Sequence, residues 1–218
     1  MKKGLVSSRG FQKLTKGHPW VMAADIEDKK SLPSRSGLTF FGEHWFFHSP
    51  ESQIRLRRFG PSSRNWKNPG SLVTVSDGRQ FIELFGEWLQ DHLQKTFLSK
   101  WHLTYIEGDD LALRWIFSEN DLIPGLTLDV LGSVIVADIT TAPIEHFWLS
   151  FRPQIEQAIK TLSTNETLPT AIREQLKSVR LIESRGNEIR RKEGLELIAL
   201  EDSVSAQWLK WNGLQWQI

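Results

Sequence analysis

Arg55, Arg57 and Arg58 crowd into one short span, and Arg9, Lys13 and Lys16 recur at helical spacing near the start of the chain. These are the side chains best placed for chemistry with an anionic partner. A guanidinium offers paired N–H donors that match two phosphate oxygens, so the arginine cluster reads as a phosphate contact. The plainer alternative is the solvated outer face of an edge strand. Arg9, Lys13 and Lys16 read either as a second part of the same contact or as ordinary surface cations. His44 and His48 have the spacing of a metal pair. However, Trp45-Phe46-Phe47 between them reads as a strand, and with no third ligand a metal site is not expected. Glu119, Asp121 and Asp129 have the chemistry of acid/base carboxylates, but nothing around them in the sequence would displace their pKa values, and a structural role is expected. His18-Pro19-Trp20 reads as a rigid corner with a buried indole.

The absences narrow the chemistry further. There is no Gly-x-Gly-x-x-Gly loop, no Gly-x-x-x-x-Gly-Lys, no Gly-x-Ser-x-Gly, no His-Glu-x-x-His and no Pro-Pro pair, so no cofactor or catalytic residue is expected in these residues. The lack of cysteine excludes disulfides, thiolate zinc sites and a thiol nucleophile, and fits a cytoplasmic setting. Met1 to Leu5 is basic without an apolar run and reads as no signal peptide. Nowhere do about 18 apolar residues run together, so no membrane partner is expected.

Charge is divided along the chain. Residues 1–70 hold 13 Lys/Arg against 5 Asp/Glu, a net +8, and residues 71–218 hold 14 against 21, a net −7. A basic first third on an acidic remainder points a polyanion-facing end toward the N-terminus.

The elements that must position these residues follow from periodicity. Residues 8–16 form a short helix capped by Ser8 and stopped by Gly17 and Pro19. Aromatic and β-branched runs at 20–22, 38–41, 45–47 and 52–57 read as strands, with Ile54 and Leu56 on one face of the last and Arg55 and Arg57 on the other. Together they suggest a small β-barrel with one helix over residues 1–67. The stretch 60–70, rich in Gly, Pro, Ser and Asn, reads as a linker. Beyond it, residues 71–200 read as an α+β sandwich domain. Its elements are helices at 77–99, around 144–162 with Pro153 either starting or kinking the helix, and around 171–176. Its strands are at 111–117, 126–130, 134–139, 179–182 and 195–200. Residues 201–218 read as a strand-like stub without a partner strand.

Five motifs then carry a resemblance. Lys16-Gly17-His18-Pro19-Trp20-Val21 and Ser49-Pro50-Glu51-Ser52-Gln53-Ile54-Arg55-Leu56-Arg57 resemble the opening and closing signatures of the PUA domain in S-adenosylmethionine-dependent large-subunit rRNA (cytosine) methyltransferases. Ser118-Glu119-Asn120-Asp121-Leu122-Ile123-Pro124-Gly125-Leu126 resembles that family's middle-domain motif, with Ser118 and Leu122 where the family has glycine. Glu183-Ser184-Arg185 with Arg191-Lys192-Glu193-Gly194-Leu195-Glu196, and Asn212-Gly213-Leu214, follow in the family's order. The resemblance implies a PUA-like barrel and a middle domain that bind structured RNA, with Arg9, Lys13, Lys16, Arg55, Arg57 and Arg58 as the RNA contacts. It also implies that the Rossmann domain holding S-adenosylmethionine is absent from this chain, and that the terminal stub leads toward it. A complete, diverged non-catalytic protein is the alternative, and a homodimer or a protein partner stays open.

Overall fold

The computed structural model describes residues 5–60, 73–198 and 208–217. The expected linker beyond Gly60, the last two residues of the expected strand at 195–200, and residues 201–207 lie outside them.

Strands β1 (Trp20–Met22), β2 (Gly37–Phe41), β3 (His44–His48), β4 (Ile54–Phe59) and β5 (Val73–Val75) form one antiparallel sheet in the order β1-β4-β3-β2-β5. No pairing among the described residues closes it into the expected barrel. Its two faces are instead covered by helices. On one side lies α1 (Ser8–Thr15), where Leu14 packs with Val21, Phe46 and Leu56. On the other side lie α2 (Gly78–Thr104) and α3 (Ala142–Ser163). There Trp45 and Phe59 meet Phe85 at ring separations of 5.3 and 5.2 Å, and Phe47 stacks on Phe147 at 6.3 Å.

The same helices carry a second sheet. β6 (Ala112–Phe117), β7 (Leu126–Leu131) and β8 (Val134–Ile139) pair antiparallel, and β9 (Arg180–Ser184) joins β8 in parallel. A parallel pair needs a crossover, here α3 and α4 (Thr170–Ser178). The later part of α2 supplies Phe97, 5.5 Å from Trp115, whose indole N–H donates to Leu93 O at 2.8 Å. The molecule is therefore sheet, helical layer, sheet, with one hydrophobic core running through all three layers. β5 follows the expected linker in sequence yet completes the first sheet through β2.

Local details differ from expectation for identifiable reasons. Ser7, not Ser8, caps α1: its hydroxyl accepts from Gly10 N–H at 3.1 Å. Pro153 neither starts nor ends α3. It sits on the exposed side, where water can satisfy the carbonyl it leaves free at Leu149, itself 87% exposed. The terminal stub is not an unpaired strand. β10 (Trp208–Trp211) and β11 (Leu214–Gln217) form a hairpin through Asn212 and Gly213, both at positive φ, the geometry of a type I′ turn. The hairpin docks on the main body. Lys210 N–H donates to Asp110 Oδ2 at 2.8 Å, Trp211 Nε1–H donates to Thr104 O at 3.1 Å, and Leu209 is buried. Trp208 and Trp216 stay 66% and 49% exposed. No helix among the described residues is long and apolar enough to cross a membrane.

Candidate nucleic-acid interface

α1 is held against the first sheet by a close approach at Gly10. A Cβ there would come within 2.6 Å of Val6 Cγ1 and 2.9 Å of Asp25 Cβ, so glycine is what lets the helix sit down. The helix stops where Gly17 adopts φ +89°. This placement leaves Arg9 and Lys16 exposed on one side. Lys13, between them on the same stripe, donates to Asp25 Oδ2 at 3.1 Å, an ion pair that ties the helix to the segment after β1.

The arginines of β4 separate. Phe46 and Leu56 mark the α1 face of the sheet, and strand alternation puts Arg58 there with them. Arg58 is half-buried, and one Nη–H donates to Leu14 O at 3.4 Å. Its Nε–H is shielded from solvent with no acceptor among the described residues, and burial holds its pKa below the usual arginine value. Arg55 is half-buried and donates to Ser49 O at 3.3 Å. Arg57 is not on an outer face. It lies opposite Phe47, on the side covered by the helical layer, and is 5% exposed. Its guanidinium donates to Glu193 Oε1 at 2.7 Å and Oε2 at 3.3 Å, and reaches Glu119 Oε1 at 3.5 Å. A guanidinium committed to two carboxylates does not offer its fork to phosphate, so the expectation for Arg57 is corrected. Alternation was read properly, but both faces of the sheet turn out to be covered.

The residues that sequence reasoning missed are those around Arg57. Trp20 Nε1–H donates to Glu119 Oε1 at 3.0 Å, and Ser52 Oγ–H donates to Glu193 Oε1 at 2.6 Å. Four of the five motifs thus meet at one buried polar cluster joining β1, β4, the 3₁₀ turn at Ser118–Asp121 and the end of α5 (Ile189–Lys192). From the other side Arg190, 2% exposed, donates to Ile139 O at 2.6 Å and to Glu145 Oε2 at 3.0 Å. Residues 190–193 therefore strap the second sheet to the first. The available signal was the motif membership of Trp20, Glu119 and Glu193. Their separations of 99 and 136–141 residues from their partners concealed that they touch.

The remaining candidates are structural in their contacts. Asp121 accepts from Lys100 Nζ at 2.7 Å and Phe117 N–H at 2.6 Å, and Asp129 pairs with Arg114 at 2.8 Å. His18 Nδ1 accepts from Trp20 N–H at 3.1 Å within the corner. His48 is buried, and burial with the nearby Arg55 charge pushes its pKa down to about 4. No group of three metal-ligating side chains occurs among the described residues. Ser118 and Leu122, where the resembled family has glycine, both take positive φ, +48° and +60°. The backbone demand for glycine is present here without the residue.

The one parallel pair among the described residues, β8 with β9, is where a methyl-donor cradle would form. In open α/β sheets such cradles form where a strand passes through a glycine turn into a helix. Here β8 enters α3 through Thr140 and Thr141, whose hydroxyls donate to Gly125 O at 3.1 Å and Pro124 O at 3.3 Å. Pro143 then removes a further N–H from the helix start. That junction does not fit S-adenosylmethionine.

Between α1 and the β2–β3 hairpin lies a cleft of about 430 Å³, lined among others by Phe11, Leu14, Phe41, His44, Phe46 and Arg58.

No family model matches the chain. It is 28% identical over 170 residues to ribosomal RNA large subunit methyltransferase I of Shigella boydii serotype 18, a stretch that is 74% of this chain and 37% of that enzyme. To the enzyme of the same name from Escherichia coli (strain K12 / MC4100 / BW2952) it is 29% identical over 154 residues, 67% of this chain and 34% of the other. The chain thus matches little more than a third of the length of these relatives. Among solved structures it is similar to a putative SAM-dependent methyltransferase from Streptococcus mutans, with a TM-score of 0.54 and 16% identity over 100% of this chain and 48% of the other. It is likewise similar to a putative methyltransferase complexed with SAH, with a TM-score of 0.53, 16% identity and 47% of that chain covered. At that identity the structures speak for the fold alone.

Proposed function

We propose that this chain binds and orients structured RNA, ribosomal RNA by class, as the non-catalytic front of a methyltransferase assembly working in the cytoplasm. The observation that carries this reading is the sequence likeness to large-subunit rRNA methyltransferases over 74% of the chain. The exposed cations of α1, Arg9 and Lys16, and the half-buried Arg55 and Arg58 supply the phosphate-facing charge. Arg57 and the strap keep that surface in fixed relation to the second sheet, so RNA captured on α1 is presented in one orientation. In this reading the first sheet with α1 plays the part of a PUA domain, and S-adenosylmethionine is held by a separate domain.

A second reading, a protein-docking role, is favoured by the exposed Trp208 and Trp216 on the terminal hairpin. Binding of a large-subunit rRNA fragment, titrated against KCl, tests the first. Affinity is expected to fall by about 0.7–0.9 log units per log unit of salt for each phosphate engaged. It should weaken further in Arg9→Glu/Lys16→Glu. Salt-insensitive binding, or none, would overturn the RNA reading.

A further inference from the structure

We propose that the cleft between α1 and the β2–β3 hairpin receives a single unpaired nucleobase, with guanine preferred over adenine. The proposal rests on the reading of this chain as an RNA-binding protein, and its basis is local. The cleft's volume of about 430 Å³ lies within the range of about 300–1,000 Å³ usual for small-molecule sites. Its lining is predominantly apolar. Phe11 and Phe41 are half-buried, leaving ring surface uncovered, and Phe46 is fully buried beneath them. Exposed aromatic faces at an RNA surface are what unpaired bases stack on.

Of the polar residues that line the cleft, Thr15, Glu43, His44 and Arg58, the last two give it a direction. Arg58 lines it as a donor-only guanidinium that spends one Nη–H on Leu14 O at 3.4 Å. Its remaining Nη–H donors are met by a ligand that brings an acceptor. Guanine offers two neighbouring acceptors, O6 and N7, whereas adenine sets an N6 amino donor beside its N7, which a donor-only guanidinium opposes. His44 also lines the cleft, and burial together with the Arg58 charge lowers its pKa, favouring the neutral imidazole that can both donate and accept. The rim is open at Gly42, where a Cβ would meet nothing within 4 Å. Lys16 stands exposed between two residues that line the cleft, Thr15 and Gly17, placed to meet the phosphate of an extruded nucleotide. A base inserted here enters beside the cationic stripe of α1, so backbone capture and base capture share one surface.

The test compares three fluorescent RNAs by anisotropy at fixed salt: a fully paired duplex, the same duplex with one bulged guanine, and the same with one bulged adenine. The guanine bulge is expected to bind about tenfold tighter than the duplex, in line with the stacking of one base on aromatic side chains. Phe11→Leu, which keeps an apolar residue in α1, should remove most of that advantage while leaving duplex affinity unchanged, and Arg58→Gln, which also removes a phosphate-facing charge, should weaken every RNA and abolish the preference for guanine over adenine. A measurement on the unaltered protein complements the variants. Guanosine 5′-monophosphate should shift the His44 ring resonances saturably, and adenosine 5′-monophosphate should do so more weakly. Equal affinity for all three RNAs, or a Phe11→Leu variant that weakens duplex and bulge alike, would overturn the base site and leave RNA binding standing. Failure to bind any of the three RNAs overturns both.

Discussion

Removing Glu193 should be among the most damaging single substitutions in this protein, although the residue touches no proposed ligand. Glu193 and Arg57 side chains are 1% and 7% exposed and meet at 2.7 Å. Deleting one member of a buried pair typically costs about 3–5 kcal/mol, because the remaining charge has lost its solvation and its partner. Here Glu119 stays 3.5 Å from Arg57, which argues for the lower end, about 3 kcal/mol in Glu193→Ala. Ser52 loses its acceptor in the same variant. For a chain of this size each kcal/mol moves Tm by about 2–4 °C, so the expected drop is about 6–12 °C. Calorimetry with parallel urea denaturation reads both quantities. Replacing both partners with apolar residues, Arg57→Met/Glu193→Leu, should recover much of the loss, because no unpaired charge remains. A single variant within about 0.5 kcal/mol of the parent protein, or a double variant whose cost is the simple sum, would refute the view that this pair is a desolvated joint.

Three further outcomes are expected. Leu122→Gly should be neutral or stabilising by up to about 1 kcal/mol in thermal unfolding, since a non-glycine residue at φ +60° carries a left-handed penalty of about 1–2 kcal/mol that glycine's unfolded-state entropy only partly offsets. A clear loss would mean that the Leu122 side chain, not its backbone, sets the local energy. His48, with its pKa near 4 against 6.5 when unfolded, binds its proton more readily in the unfolded chain. Stability should therefore be full above about pH 6.5, decline as pH falls toward 4 and level off below. His48→Phe should lack that component, and an unchanged difference profile would place the titration elsewhere. Gly213→Ala, at φ +71°, should loosen the terminal hairpin without melting the core, read as a fluorescence change from Trp208, Trp211 and Trp216 with little change in Tm. A large fall in Tm would make the hairpin part of the cooperative unit.

Much of the secondary structure was legible because its cause is local. The spacing of Phe81, Phe85 and Leu93 marks α2, and the cap at Asp77, which accepts from Arg79 and Gln80 N–H, marks its start. The terminal hairpin departs from the unpartnered strand expected over residues 201–218, although Asn212-Gly213 is a strong local turn signal. The strand β5 and the strap at 190–193 had no local signature at all. Three residues of β-branched type and a single helical turn acquire their structure from what they touch.

The sequence alone determined the alternation of β4, the position and charge of α1 and the order of the motifs. These are properties of neighbouring residues, and period, propensity and charge are carried by neighbours. Only the tertiary structure decided what lies on each face. It buried Arg57 while leaving Arg9 and Lys16 in solvent, it brought Trp20, Ser52, Glu119 and Glu193 together, and it opened a cleft between Phe11 and Phe41. Burial and desolvation depend on residues a hundred or more positions apart. For that reason the same arginine pattern yields one structural ion pair, one carbonyl contact and one guanidinium with a donor to spare.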